Sequence, residues 1–278
     1  TGWWTAYSTQ DAYVEFEKKE GIAPNPFIYF IQDYEPGFYP WSTRYLLADS
    51  TYRSEYKQIA VFNSGLLSEF FKQNQYEFYR EFDFDPVLNG GLKKVLEESV
   101  GEIRKKKQIL VYGRPSVERN AFNLLVAALK KWVDIQEDIE EWEILSAGEY
   151  HLPVELGKGK ELVSVGKLTI EQYGHTMLDS FAGISLMSSP HPSYPPLEMS
   201  VFGVKVITNT YANKDLASFN DNMVSLSNIS PNNIAVTLKN ICDNYKEIMD
   251  LKITNPDYVE NENIFNFVKE IADLYRQI

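Results

Sequence analysis

The sequence is short of the residues that several chemistries require. Cys242 is its one cysteine, which excludes an intrachain disulfide and a cysteine-based metal cluster and is compatible with a reducing cytoplasm. Its three histidines, His151, His175 and His191, lie far apart without metal-ligand spacing. Positive charge is also scarce: 27 Lys and Arg stand against 39 Asp and Glu, a net charge of −12, which argues against a nucleic-acid partner because a phosphate backbone is bound by clustered cations. The basic runs Lys105-Lys106-Lys107 and Lys130-Lys131 are short and flanked by helix-like sequence, so they are expected on solvated helix faces or ends, where they would favour an anionic membrane surface only weakly. No run approaches the roughly 18 apolar residues of a membrane span, and residues 1–20 lack a signal-peptide pattern. A cytoplasmic protein is expected, at most resting on the inner face of the membrane. Nucleophile-elbow, Walker and dinucleotide-binding glycine motifs are missing as well.

What the chain does have is apolar and aromatic mass. Of its 278 residues 44% are hydrophobic and 14% aromatic, enough for one large core or two modest ones, and rings of this kind fill cores or line sites for flat and sugar-like ligands. The runs Ile28–Ile31 and Ile59–Phe62 read as short buried strands, and Asn63-Ser64 as a strand end feeding a helix from Gly65. Pro86, Asn89, Gly90, Gly91 and the charged stretch after them mark a boundary. Residues 1–100 are read as the rest of an N-terminal domain plus linker, 101–260 as a second domain and 261–278 as a closing helix.

In the second domain strands at 108–113, 142–148, 162–166, 183–187, 204–208 and 223–226 alternate with helices at 121–132, 171–180 and 196–202. Helical periodicity also covers 231–249 and 262–278. Such alternation predicts an α/β fold with parallel sheets covered on both faces, whose ligands sit at the carboxyl ends of the strands.

Polar residues fall at those ends. Arg114 follows one strand and Lys167 another, and the Pro-rich run Ser188–Glu198 follows a third. A lone cation there is ordinarily a surface residue, but two facing such a loop suit a diphosphate leaving group, for which Arg offers a bidentate fork and Lys a point charge. Pro195 and Pro196 fit the first turn of a helix, whose amides would add positive potential. Glu198 either holds ribose hydroxyls or complements the helix dipole, and Tyr194 either donates to a phosphate or packs on the turn. Asp83-Phe84-Asp85 matches a metal-binding acidic pair of another fold but sits in an aromatic-alternating strand, so it is read as an exposed strand face.

The segment Ser189-Pro190-His191-Pro192-Ser193-Tyr194-Pro195-Pro196-Leu197-Glu198-Met199 with Phe202-Gly203, together with Gln32-Asp33-Tyr34-Glu35-Pro36 and Tyr39-Pro40-Trp41-Ser42, resembles the rhamnosyltransferases of rhamnan synthesis, which are retaining family 4 glycosyltransferases. The resemblance implies a GT-B fold of two Rossmann-like domains with parallel sheets. It also implies an enzyme that transfers rhamnose from dTDP-rhamnose to a cell-surface glycan, free or lipid-linked, without a metal or other cofactor. Carried over position by position, Arg114 and Lys167 would contact the diphosphate with help from Tyr194, and Glu198 would hold the ribose. Trp3, Trp4, Asp33, Tyr34 and Trp41 would include acceptor-side contacts, with Gln32, Glu35 and Tyr39 near them, or else pack the core.

The sequence departs from the family pattern at two places. The family's first loop glutamate would fall at position 190, which is Pro190, and recognition of a deoxysugar through backbone groups and His191 would explain it. His191 is then a sugar contact, a structural residue or a general base. A glycine-rich loop ahead of Trp3-Trp4 is also missing, so the N-terminal domain is read as truncated. A nucleotide-sugar or glycan binding module without turnover, and an epimerase of the same fold, are the competing readings.

Overall fold

The computed structural model describes residues 2–261 and 264–277; the chain start at Thr1, and positions 262, 263 and 278 of the helix expected at the C-terminus, lie outside them. Helix α1 (Trp3–Glu20) ends at Gly21, which takes a φ of +69° and donates its N–H to Glu17, the left-handed stop that glycine adopts without strain. Strand β1 (Phe27–Ile31), helix α2 (Thr43–Ser50), strand β2 (Gln58–Phe62), helix α3 (Gly65–Gln73) and strand β3 (Arg80–Asp83) complete a first unit. Its three strands form a parallel sheet in the order β1-β2-β3. Tyr29, Ile31 and Phe62 pack one face against Tyr52 and Phe71. Asp85 Oδ1 accepts from Gly65 N at 2.9 Å and so caps α3.

The second unit begins with α4 (Gly90–Glu98), β4 (Gly101–Arg104), β5 (Lys106–Gly113), α5 (Phe122–Ile135), β6 (Glu143–Gly148), β7 (Val154–Gly157) and β8 (Lys160–Gly166). It continues with α6 (Ile170–Asp179), β9 (Ser180–Ile184), α7 (Tyr194–Val201), β10 (Lys205–Asn209), β11 (Met223–Leu226), α8 (Pro231–Cys242), β12 (Ile248–Leu251) and α9 (Pro256–Glu260). Its seven-stranded sheet runs β11-β10-β9-β5-β6-β8-β7, parallel except for the β7–β8 edge hairpin. Trp132, Leu129 and Leu238 from α5 and α8 cover one face, while Leu96, Met177 and Leu197 from α4, α6 and α7 cover the other. This is the α/β architecture that the alternating pattern predicts.

Helix α10 (Phe267–Arg276) returns to the first sheet, where Phe267 and Ile271 pack on Ile59, Val61 and Phe82. A further contact joins the units, where Asn213 Nδ2 donates to Leu66 O at 2.8 Å. Among the described residues no helix is long and apolar enough to cross a membrane.

Three sequence expectations change. The helical period over 231–249 ends at Cys242, and Ile248–Leu251 form β12, antiparallel to β4; a four-residue strand exists only where a partner edge completes its hydrogen bonds. The strand expected at 183–187 begins three positions earlier, at Ser180, because the Ser180 hydroxyl finds buried partners in Thr176 O and Gln108 Nε2.

The run 105–107 lies at the start of β5 and not on a helix. Lys105 is buried, with Nζ donating to Met177 O at 3.0 Å and Phe202 O at 2.8 Å near the ends of α6 and α7, where a cation meets the negative ends of the helix dipoles. Burial pulls its ammonium down to about 7, with Asp179 opposing. Lys106 pairs with Asp179, and Lys107 with Asp138 and Glu141. Lys130 and Lys131 do lie exposed on α5.

Candidate functional site

Two cavities open at the carboxyl ends of the larger sheet's strands. The first, of about 330 Å³, lies in the cleft between the units and is lined by Asp33, Phe38 and Asn63 from one side and Arg114, Arg119, Asn120, His191 and Tyr194 from the other. The second, of about 400 Å³, belongs wholly to the second unit and is lined by Arg114, Gly148, Lys167, Thr169 and Tyr173. Both volumes suit small ligands. Arg114, immediately after β5, stands on the wall they share. Gly148 has a φ of +131°, and a Cβ there would meet Gly113 O at 2.8 Å and Arg114 Cγ at 3.2 Å, so glycine at this strand end makes room for the arginine stem.

The loop between β9 and α7 is pinned from beneath. Asn209 clamps Met187, accepting from its N–H at 2.7 Å and donating to its carbonyl at 3.1 Å, and Lys214 Nζ donates to the same carbonyl at 2.7 Å. Burial lowers the Lys214 ammonium to about 8, with Asp33 opposing. Farther along, Ser193 takes a φ of +68°, a strained value for a non-glycine residue that persists where the surroundings enforce it.

His191 is buried, and its Nδ1 accepts from Ser193 N at 3.0 Å. A backbone N–H can only donate, so the neutral ring carries its proton on Nε2. Burial, then Lys214 and Arg119, hold the imidazole down at about 4. The Nε2 atom has no hydrogen-bond partner among the described residues and belongs to a residue lining the cleft. In this state His191 offers a hydrogen-bond donor and leaves no free lone pair for the general-base role.

Arg119, which sequence reading missed, comes from a 3-10 turn over Glu118–Asn120. Its guanidinium lies 4.1 Å from the Phe38 ring centroid, and Nε stands 3.7 Å from Asp33 Oδ2. Asn63 and Asn120 were also missed. Asn63 Oδ1, Asn120 Oδ1, Arg119 Nε and His191 Nε2 are all buried without a hydrogen-bond partner among the described residues, and all four residues line the cleft. Buried polar atoms are ordinarily paired, so this convergence of two acceptors and two donors marks a surface for a polyhydroxylated or anionic ligand.

Lys167 is exposed at the second cavity, beside Thr169, which opens α6 with a reciprocal capping box. Neither Lys167 nor Arg114 has an ion-pair partner within 4 Å among the described residues. Glu198 lies on α7 next to Tyr173, a wall residue of that cavity. Burial pushes its carboxyl up to about 7, and the Tyr173 hydroxyl opposes this. Tyr194 is 39% exposed at the cleft, its ring edge-on to His191 at 5.5 Å. The amide potential expected at the start of α7 is reduced, because Pro195 and Pro196 have no N–H and Ser193 N is spent on His191.

The acceptor-side candidates separate. Asp33, with Gln32 and Glu35, lines the cleft. Tyr34 instead packs in the first unit's core, its hydroxyl 3.0 Å from that of Tyr45 and 2.9 Å from that of Tyr76. Trp3 packs edge-on against Tyr39, whose hydroxyl accepts from its Nε1 at 3.4 Å. Trp4 and Trp41 are exposed at 57% and 102%, and neither they nor Trp3 line either cavity.

Two parallel α/β units with cavities at their junction and at the strand ends of the second define a GT-B fold. Residues 1–65 match the model of the WsaF N-terminal domain and residues 107–239 that of the WsaF C-terminal domain, so the chain carries WsaF-type sequence in both units. The O-antigen biosynthesis protein RfbC of Myxococcus xanthus is 31% identical over 220 residues, a match that covers 78% of this chain and only 16% of that protein. Among solved structures, sucrose-phosphate synthase of Thermosynechococcus elongatus superposes with a TM-score of 0.62 at 13% identity over 99% of this chain and 72% of its own. HepE of Anabaena, solved with UDP-glucose, gives 0.63 at 13% identity over 97% and 77%. These two likenesses show the fold.

Proposed function

We propose that the chain is the donor-handling part of a retaining glycosyltransferase that moves a rhamnosyl group from dTDP-rhamnose to a cell-surface glycan. The observation that carries this reading is Arg114 on the wall shared by a cavity within one unit and a cleft whose lining residues include four buried polar atoms without a hydrogen-bond partner among the described residues. A nucleotide sugar has the matching plan: its nucleoside fills the Lys167 cavity, its diphosphate lies against Arg114 and Lys167, and its sugar projects into the cleft. The leaving diphosphate gains charge, and Arg114, Lys167 and Arg119 supply preorganised cations toward it. Glu198 holds the ribose. In the cleft, His191 Nε2 donates to a sugar hydroxyl while Asn63 and Asn120 accept.

Pro190 leaves the loop without a carboxylate at that position, while Phe38, Met187 and Pro195 give the cleft apolar wall. Such a wall suits the methyl group a deoxyhexose carries in place of a hydroxymethyl. The M. xanthus relative is named for O-antigen biosynthesis and HepE was solved with UDP-glucose, which supports the same class of donor and acceptor.

Calorimetry with dTDP-rhamnose, UDP-glucose and GDP-mannose tests the reading, followed by transfer to a rhamnan oligosaccharide. dTDP-rhamnose is expected to bind tightest. Lys167→Ala is expected to weaken it about tenfold, the low end for a charge-assisted hydrogen bond because the side chain is exposed. Equal affinity for all three donors, or an undisturbed Lys167→Ala variant, would reject the assignment, and binding without transfer would favour a non-catalytic module.

A further inference from the structure

One side chain of the first unit reaches into the second and ends on the loop that holds His191. Asp33 is buried, and its Oδ1 accepts from both Tyr34 N, at 2.9 Å, and the Ser189 hydroxyl. Those two hydroxyl and carboxylate partners are 156 positions apart in the chain. Since a carboxylate only accepts, the Ser189 proton is directed at Asp33, which leaves a serine lone pair for His191 N at 3.0 Å. From there the turn closes on itself, with Ser193 N donating to His191 Nδ1 at 3.0 Å. Asp33, Ser189 and the His191 backbone thus form one continuous line across the boundary between the units, and the imidazole Nε2 at its end has no hydrogen-bond partner among the described residues.

We propose that Asp33 is a positioning residue which, only while the two units are docked, holds the Ser189–Ser193 turn so that His191 keeps its proton on Nε2 and presents it to the cleft. This rests on the reading of the cleft as the place where the transferred sugar lies, and it adds that closure of the units readies the donor. When the units separate, Ser189 loses the acceptor that orients its hydroxyl, the turn is released, and Nδ1 is freed to compete for the proton. The charged and titratable groups around the ring are Arg119 and Lys214, which repel a second proton, Asp33 from the first unit, which acts on both cations, Glu35, which acts on Arg119, and Tyr194 on α7. Removing Asp33 therefore alters the ring's field and its hydrogen bonding together, whereas removing the Ser189 hydroxyl alters the bonding alone.

The test is long-range proton–nitrogen NMR on protein labelled with 15N-histidine, alongside steady-state transfer kinetics, for Asp33→Ala, Asp33→Asn and Ser189→Ala. His191 is one of three histidines in the sequence, and His191→Gln assigns its signals. In the wild type its signals are expected to report one tautomer, protonated on Nε2, without titration between pH 5 and 8. Ser189→Ala and Asp33→Ala should each show both tautomers and cut kcat at least tenfold while donor KM stays within twofold. Asp33→Asn keeps an acceptor for the hydroxyl and should fall between. A single Nε2–H tautomer in both Ser189→Ala and Asp33→Asn would overturn the proposal even if Asp33→Ala failed to fold. A wild type that transfers no sugar would sink the functional reading while the spectra still decided the positioning role.

Discussion

The cleft cavity and the Lys167 cavity have Arg114 in common and are built in opposite ways. The Lys167 cavity draws every wall from one unit, so its shape is fixed when that unit folds. In the cleft, Asp33, Phe38 and Asn63 face Arg119, Asn120 and His191 from another unit, so those partners meet only when the units dock. The contrast extends to polarity. Four buried polar atoms of cleft residues lack hydrogen-bond partners among the described residues, whereas at the Lys167 cavity the Tyr173 hydroxyl stands beside the Glu198 carboxyl. A site that must grip a nucleotide before closure benefits from being preformed, and a site that must discriminate at the reacting sugar benefits from being assembled late, because binding energy then goes into completing the reactive geometry.

Breaking the cleft side should give the largest effect. Arg119→Ala removes a half-buried cation that stacks on Phe38 and faces Asp33, and transfer is expected to fall about 10²-fold, the range for loss of one preorganised charge-stabilising donor. Nucleotide affinity should stay within twofold. A matching fall in nucleotide affinity, read by calorimetry, would show that the two cavities are not separate.

Arg114→Ala sharpens the comparison, since this residue borders both cavities. Nucleotide binding and transfer should each drop, by about tenfold apiece, the lower range for hydrogen bonds to charged groups. A variant defective in only one of the two would move Arg114 off the shared wall.

A separate effect is expected on stability. Burial raises the Glu198 carboxyl from 4.5 to about 7, so between those values the folded chain holds a proton that the unfolded chain has lost. Its contribution to stability is therefore present below about pH 4.5 and is lost as pH rises through 7. Glu198→Gln, which mimics the protonated form, should match the wild type near pH 4.5 and be the more stable protein near pH 8. Urea titration at the two pH values checks this, and a wild type that gains on the variant as pH rises would reverse the sign.

Much of this was written locally. The apolar runs at Ile28 and Ile59 and the alternation from Gln108 onward marked the central strands, because period and β-branched content act within a few residues. Arg114 and Lys167 were legible as candidates because strand ends display ligand-facing residues in open parallel sheets. Arg119, Asn63 and Asn120 carried no such signal. They become candidates through buried polar atoms without a hydrogen-bond partner among the described residues, a property that belongs to the packed chain and not to a stretch of it.

The sequence by itself thus determined the α/β class, the alternation of strands and helices at the centre of the second unit and the presence of cations at its strand ends, since each follows from short-range preference and pattern. Tertiary structure decided the rest. Ile248–Leu251 became a strand because β4 offered an edge, and Lys105 left solvent because the ends of α6 and α7 met its ammonium. Asp33 and Ser189 became partners only when two units docked. These outcomes depend on which surfaces meet, and the physical terms that decide them, desolvation and hydrogen bonding between distant groups, act through space and not along the chain.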